Sequence, residues 1–234
     1  MLIEGLAAEA FATNCYVVAS EAGSECVVVD PGIGIEKRLD EVLERRRLRP
    51  VAVLATHGHL DHTFSITPVC GARDIPAYIH SDDAELLADP LKGLSRDIQA
   101  MFAGNLSWTE PDDVAELRDG DVLRLAGLEI AVDHAPGHTP GSVLFRLPGD
   151  DAAEAYCLSG DVLFAGSIGR TDFPGGSAMQ MARSLRDKIL PLDDDTAVLP
   201  GHGPRTTIAA ERRANPFLRQ VGDDGHIEAP TRGM

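Results

Sequence analysis

Apolar residues arrive along this chain in short, nearly continuous runs separated by turn residues. "CYVVAS" (15–20) and "CVVVD" (26–30), joined by Glu-Ala-Gly-Ser, predict a β-hairpin, and "DPG" at 30–32 stops its second strand. Ile35, Leu39, Val42 and Leu43 then recur at helical spacing and predict a helix over 35–48. "VAVLAT" (51–56) reads as a buried strand. A helix near 63–70, a strand at 76–79 and a polar, helical stretch to about 105 follow. Residues 119–136 predict a two-stranded hairpin, 141–147 and 155–161 two more strands, 177–190 a helix, 196–200 a last strand, and 209–219 a final helix. Strands and helices mixed in this order predict an α/β protein of two packed sheets with helices outside. No repeat or low-complexity tract interrupts the pattern. The polar, Gly- and Pro-containing end "VGDDGHIEAPTRGM" predicts a loose tail over 221–234, which leaves 1–220 as one domain.

Composition narrows the function. The chain has 234 residues, 44% of them apolar, enough to bury a core without disulfide staples. Its formal net charge of −16 argues against a nucleic-acid partner, which needs concentrated Lys and Arg. The basic cluster Arg45, Arg46, Arg47 and Arg49 falls at a helix end, where cations suit the helix dipole. No basic leader and no long apolar run is visible. The expectation is a cytoplasmic protein with no membrane span, and not a secreted antibiotic-degrading enzyme or a nuclease. Cys15, Cys26, Cys70 and Cys157 form no C-x-x-C pair and read as buried free thiols.

Candidate chemistry concentrates in "ATHGHLDH" (55–62), where the strand over 51–56 ends. Ligands in α/β sheets collect at the carboxyl ends of strands. His57, His59, Asp61 and His62 stand at i, i+2, i+4 and i+5. An extended loop turns alternate residues to one side, so His57, His59 and Asp61 converge, and His62 starts a helix in another direction. Imidazole nitrogen and carboxylate oxygen are ligand types that zinc accepts. Three further strand ends carry the same chemistry beside glycine: His138 in "HAPGHTPGS", Asp161 in "LSGD" and His202 in "LPGHG". No G-x-S-x-G elbow offers a serine nucleophile.

From "NCYVV" and "VVVDPG" through "THGHLDH", "PGHTPGS", "SGDVLFAGSIGRTDFPGG" and "LPGHGP", ending in "ERRANPFL" near residue 217, the chain resembles the metallo-β-lactamase superfamily. Within it, the sequence looks like the glyoxalase II (hydroxyacylglutathione hydrolase) thioesterases. The resemblance implies a four-layer αββα sandwich of two mixed sheets, with the site on one edge between them. It implies one ion on His57, His59 and His138, a second on Asp61, His62 and His202, and Asp161 bridging. Seven ligands exceed the four that one zinc usually takes, which fits two divalent ions, zinc first and iron as the other choice. The activity implied is attack of a metal-bridging hydroxide on a small-molecule thioester, with Asp61 both ligand and orienter of the hydroxide.

Arg170 is the candidate to meet a substrate carboxylate, or else pairs locally with Asp172. Phe173 walls the pocket or packs as core. His80 and His226 lie outside the motifs and are expected to be exposed, and His134 has at most a supporting contact with a ligand. Glyoxalase II carries a helical extension that contacts glutathione. Only 32 residues follow His202 here, so the likeness is to short, single-domain relatives, whose thiol is glutathione or another small cellular thiol. A mononuclear-iron persulfide dioxygenase using His57, His138 and Asp161 is the alternative, with a lactonase or a non-enzymatic metal-binding protein behind it.

Overall fold

The computed structural model describes residues 1–94, 99–100, 108–149 and 155–223. Two six-stranded mixed sheets pack face to face. The first runs in chain order: β1 (Leu2–Ala7), β2 (Asn14–Ala19), β3 (Glu25–Val29), β4 (Arg49–Leu54), β5 (Ala77–His80) and β6 (Val114–Leu117). Its first three strands are antiparallel and the rest parallel. The second contains β7 (Val122–Leu125), β8 (Leu128–His134), β9 (Val143–Leu147), β10 (Tyr156–Gly160), β11 (Ala197–Pro200) and β12 (Thr206–Thr207), with only β10 and β11 parallel. The helices are α1 (Glu36–Arg46), α2 (Leu60–Thr63), α3 (Ile66–Gly71), α4 (Ala84–Ala88), α5 (Ala178–Ser184), α6 (Ile208–Ala214) and α7 (Pro216–Asp223). The αββα sandwich expected from the sequence is the observed architecture.

The continuous apolar runs now have a cause. Successive side chains of a strand face opposite ways, and here both faces are buried. Val18, Val27, Leu54, Phe145 and Leu158 fill the layer between the sheets. Their neighbours Val17, Val28 and Val53 pack outward with Leu39 and Ile66 of α1 and α3. On the other side Leu144, Cys157 and Val198 pack with Met181 of α5, Ile208 of α6 and Leu218 of α7. All four cysteines are buried and free, and burial pushes the thiols of Cys26, Cys70 and Cys157 up to about 12.

Several elements depart from the sequence pattern. β1 was not expected: "LIEGLA" mixes Glu and Gly into an edge strand that buries only Leu2, Ile3 and Leu6 in part. β6 has only four residues. The helix expected near 63–70 is two short helices, and the one over 209–219 breaks before Pro216, because the residue preceding proline is driven out of helical conformation. α7 takes in 221–223 of the expected tail, with Val221 buried, and the rest, with His226, lies outside the described residues; of the stretch expected to be helical up to 105, Ser81–Asp83, Ala84–Ala88 and Pro90–Gly93 are helical turns, and 95–98 and 101–105 lie outside. The basic cluster ends α1 as expected: Arg47 closes the helix at φ 55, Arg45 and Arg46 pair with Glu4, and Arg49 pairs with Glu25. No helix among the described residues is long and apolar enough to cross a membrane.

Phe145 is fully buried in the layer between the sheets, whereas Val122 is 43% exposed on β7. Phe145→Ala is expected to lower unfolding free energy in urea by about 3–5 kcal/mol. Val122→Ala is expected to stay within about 0.5 kcal/mol. Equal losses at the two positions would contradict the layered packing.

Candidate metal centre

Four strand ends meet at one edge of the sandwich. The chain bends at Thr56 and His57 after β4 and is extended at His59, the residue before α2, and α2 presents Asp61 and His62. The loop after β8 carries His138, β10 ends into Asp161, and β11 ends into His202. Main-chain bonds lock these ends together: Val143 N donates to Thr56 O at 2.8 Å, and Gly201 N to Gly160 O at 2.8 Å.

All seven residues named from the sequence gather there. The ligand atoms of His57, His59 and His138 lie within 4.8 Å of one another, as do those of Asp61, His62 and His202, and those of His57, His62 and Asp161. Asp161 faces both groups. Its Oδ1 is 3.4 Å from His62 Nε2, and its Oδ2 is 3.5 Å from His138 Nε2 and 3.7 Å from His202 Nε2. His202 Nε2 stands 3.2 Å from Asp61 Oδ2 and 3.3 Å from His62 Nε2.

The outer atoms of these rings fix their tautomers. His138 Nδ1 donates to the Arg170 carbonyl at 2.7 Å, and His62 Nδ1 to Asp30 Oδ2 at 3.0 Å. Thr56 Oγ1 donates to Asp30 Oδ2 at 2.6 Å and so accepts from His57 Nδ1 at 3.1 Å. Each ring then turns Nε2 inward, the atom that a metal ligand would use once it carries no proton. Thr13 Oγ1 donates to Asp61 at 3.1 Å. His57 Nε2, His59 Nε2 and Asp161 Oδ1 are buried without a hydrogen-bond partner. Leaving such an atom unsatisfied costs about 1–3 kcal/mol. His59 Nδ1 also confronts His138 Nε2 at 2.8 Å. A cation among His57 Nε2, His59 Nδ1, His138 Nε2 and Asp161 would draw on these inward-facing atoms, so the donor set fits a metal.

Charge divides the cluster. Burial pulls His57 well below the usual imidazole range, and the rings of His62, His138 and His59 add to it. His59 falls to about 3, through burial and then His138. In the other half burial also opposes charge, but Asp61 and Asp161 outweigh it and raise His62. Burial likewise opposes the charge on His202, and the Asp61 hydrogen bond and Asp161 overcome it to raise that ring. For Asp61 and Asp161 the burial penalty is overcome chiefly by His62, and both carboxyls sit below their usual range. His57 and His59 thus favour the neutral form, whereas His62 and His202 favour holding protons among carboxylates, where a cation would replace them.

A cavity of about 650 Å³ opens onto the cluster, walled by Phe11, Leu60, Phe164, Ile168, Arg170 and Phe173. Arg170 makes the local pair with Asp172 that was the alternative to a substrate contact. It pairs with Asp172 through two 2.7 Å hydrogen bonds, and it lies on the cavity wall with its guanidinium 3.9 Å from the Phe173 ring centre. Phe173 meets the edge of His59 at 5.5 Å. Two expectations are corrected. Asp61 is not on an extended loop with His57 and His59: α2 begins at Leu60, and Asp61 groups with His62 and His202. His80 is buried, not exposed, because its ring stacks on His134 at 3.9 Å between β5 and β8. Sequence reading missed Asp30, Thr56, Thr13 and Phe11. "DPG" signalled a turn, and nothing local showed that Asp30 would fold in against residues 26 and 32 positions away.

A family profile described as the Metallo-beta-lactamase superfamily matches residues 8–202. The chain is 34% identical to hydroxyacylglutathione hydrolase GloC of Haemophilus influenzae, over 93% of this chain and 98% of that protein. The crystal structure of BLEG-1 B3 metallo-beta-lactamase superposes with TM-score 0.81 at 36% identity, over 93% of this chain and 99% of that one. TTHA1623, crystallised in a di-iron-bound form, gives TM-score 0.74 at 38% identity, over 92% and 99%.

If the orphaned atoms are a metal cradle, stripping divalent ions by chelation should lower the melting temperature. Restoring an ion to 100 times its Kd should return about 2.7 kcal/mol. Asp161→Ala, which removes the carboxylate facing both groups, should reduce uptake in both. Identical melting with and without ions would contradict the assignment.

Proposed function

The chain belongs to the metallo-β-lactamase superfamily, and on that footing we propose that it hydrolyses the thioester of a small cellular thiol, as glyoxalase II does. One observation carries this reading: both halves of a seven-residue ligand set are present, with Asp161 turned to each. His57, His59 and His138 would hold one divalent ion and Asp61, His62 and His202 the other, with Asp161 between them. Zinc suits the histidine and carboxylate donors, and iron is the alternative, in keeping with the di-iron form of TTHA1623. Bound ions supply a water-derived nucleophile at neutral pH and offset negative charge on a carbonyl oxygen.

The side chains divide the remaining work. Asp61, anionic and tied by Thr13, can accept a hydrogen bond from the attacking water and fix its direction. Arg170, exchanging Asp172 for a substrate carboxylate, would anchor one end of the substrate, with the Phe173 ring beside it. One water is consumed: the acyl carbon–sulfur bond breaks, a carbon–oxygen bond forms, and a carboxylate and a thiol leave. The likeness to GloC supports a hydroxyacyl thioester of glutathione as the first substrate to try. We place the reaction in the cytoplasm, on a small molecule, with no nucleic acid or membrane involved.

A second reading has its own observation. His57, His138 and Asp161 stand close enough for the two-histidine, one-carboxylate arrangement of a mononuclear iron persulfide dioxygenase. The likeness to BLEG-1 adds a β-lactam to the substrates to be assayed. The loaded protein should be offered a hydroxyacyl glutathione thioester, a chromogenic β-lactam, and a glutathione persulfide with oxygen uptake recorded. Thioester cleavage at two ions per chain is expected. His202→Ala should then reduce kcat/KM by on the order of 100-fold or more, since one ion loses a ligand. Oxygen uptake at one iron per chain, little affected by His202→Ala, would overturn the proposal.

A further inference from the structure

Asp83 is fully buried at the end of a single 3-10 turn, Ser81–Asp83, after β5. It touches none of the seven ligand residues, yet both of its oxygens are taken up by the loops that carry them. Gly58 N, between His57 and His59, donates to Asp83 Oδ2 at 2.8 Å. Thr139 Oγ1, next to His138, donates to the same oxygen at 2.6 Å. Gly141 N donates to Oδ1 at 2.7 Å.

Packing is as close as the hydrogen bonding. A Cβ on Gly141 would lie 2.6 Å from Asp83 Cγ, and one on Gly58 would lie 2.7 Å from Leu86 Cβ and 3.0 Å from the Asp83 carbonyl oxygen. The glycines of "HGH" and "HTPGS" are therefore where this segment presses on the two ligand loops. Ser142 closes the second loop: its Oγ accepts from Thr139 N at 3.1 Å and lies 2.7 Å from Thr139 Oγ1.

Asp30 has a parallel place on the other side. It takes Thr56 N, Thr56 Oγ1 and His62 Nδ1. The two buried carboxylates thus brace different parts of the cluster, Asp30 by touching a ligand ring and Asp83 through two backbone N–H groups and the Thr139 hydroxyl.

We propose that Asp83 is a positioning residue for the trihistidine half. By clamping the His57–His59 loop to the His138 loop, it sets the affinity of that half for its ion and leaves the Asp61, His62 and His202 half largely untouched. This rests on the metal reading of the cluster but not on the reaction catalysed. Asparagine is the informative replacement. An Asn keeps the shape, but its NH₂ must face either Gly141 N–H or Gly58 N–H, so one backbone tie is lost in either orientation.

The test is zinc titration of the ion-free chain against a competing chelator dye. It uses two backgrounds, His202→Ala, which keeps the trihistidine half, and His59→Ala, which keeps the other. In the first, Asp83→Asn should weaken zinc binding by about 10–100-fold. In the second, the change should stay within about twofold, as for independent groups. Should Asp83→Asn not fold, as judged by melting, Thr139→Val removes one of the three donors and should weaken the same half in the same direction. Equal weakening in both backgrounds, or none in either, overturns the inference alone. Wild-type chain that takes up no zinc overturns it together with the metal reading.

Discussion

The edge of this molecule depends on three Nδ1 atoms having somewhere to donate. His57, His62 and His138 each lose the outer nitrogen to a protein oxygen, on Thr56, Asp30 and Arg170 respectively. Only then is Nε2 the nitrogen that each ring turns inward. Without those outer bonds a buried imidazole could adopt either tautomer, and the cluster would be a set of histidines and not a set of ligands. Asp30 carries most of this constraint. It serves one ring directly and a second through Thr56, from a backbone held at φ 50, a conformation that Asp tolerates better than most side chains.

The sandwich makes such an arrangement possible by burying both faces of its strands. Since side chains alternate, the central strands contribute to two apolar layers at once, as Val53 and Leu54 do on β4 and Leu144 and Phe145 do on β9. Their main chains are consequently fixed to the last residue. Loops that leave such strands start from known positions, and the seven side chains need only a few residues of loop to converge. The metal cluster is unsatisfied polar chemistry at the rim of an apolar interior, where low dielectric strengthens every charge contact.

What was legible in the chain follows from range. The strands of 15–20, 26–30 and 51–56 and the hairpin of 119–136 show locally, because both faces are apolar or a turn joins them. The candidate ligands were legible because His57 and His59 flank Gly58 after β4, His138, Asp161 and His202 each follow a glycine near a strand end, and Asp61 and His62 complete the first cluster. β1 and β6 were not, β1 because Glu4 and Gly5 interrupt its partly exposed apolar run and β6 because it has only four residues. His80 was misjudged because its partner His134 comes from the opposite sheet. Asp30 and Asp83 carry no local signal at all: Asp83 meets Gly58, Thr139 and Gly141, none nearer than 25 positions in sequence.

The central claim is that both halves of the cluster are filled at once. The most direct measurement is a crystal structure of the zinc-loaded protein with anomalous scattering recorded at the metal edge. Two peaks are predicted. One should lie within about 2.0–2.2 Å of His57, His59 and His138 and the other at that distance from Asp61, His62 and His202, with Asp161 reaching both. A single peak on His57, His138 and Asp161, with His202 turned away, would contradict the account.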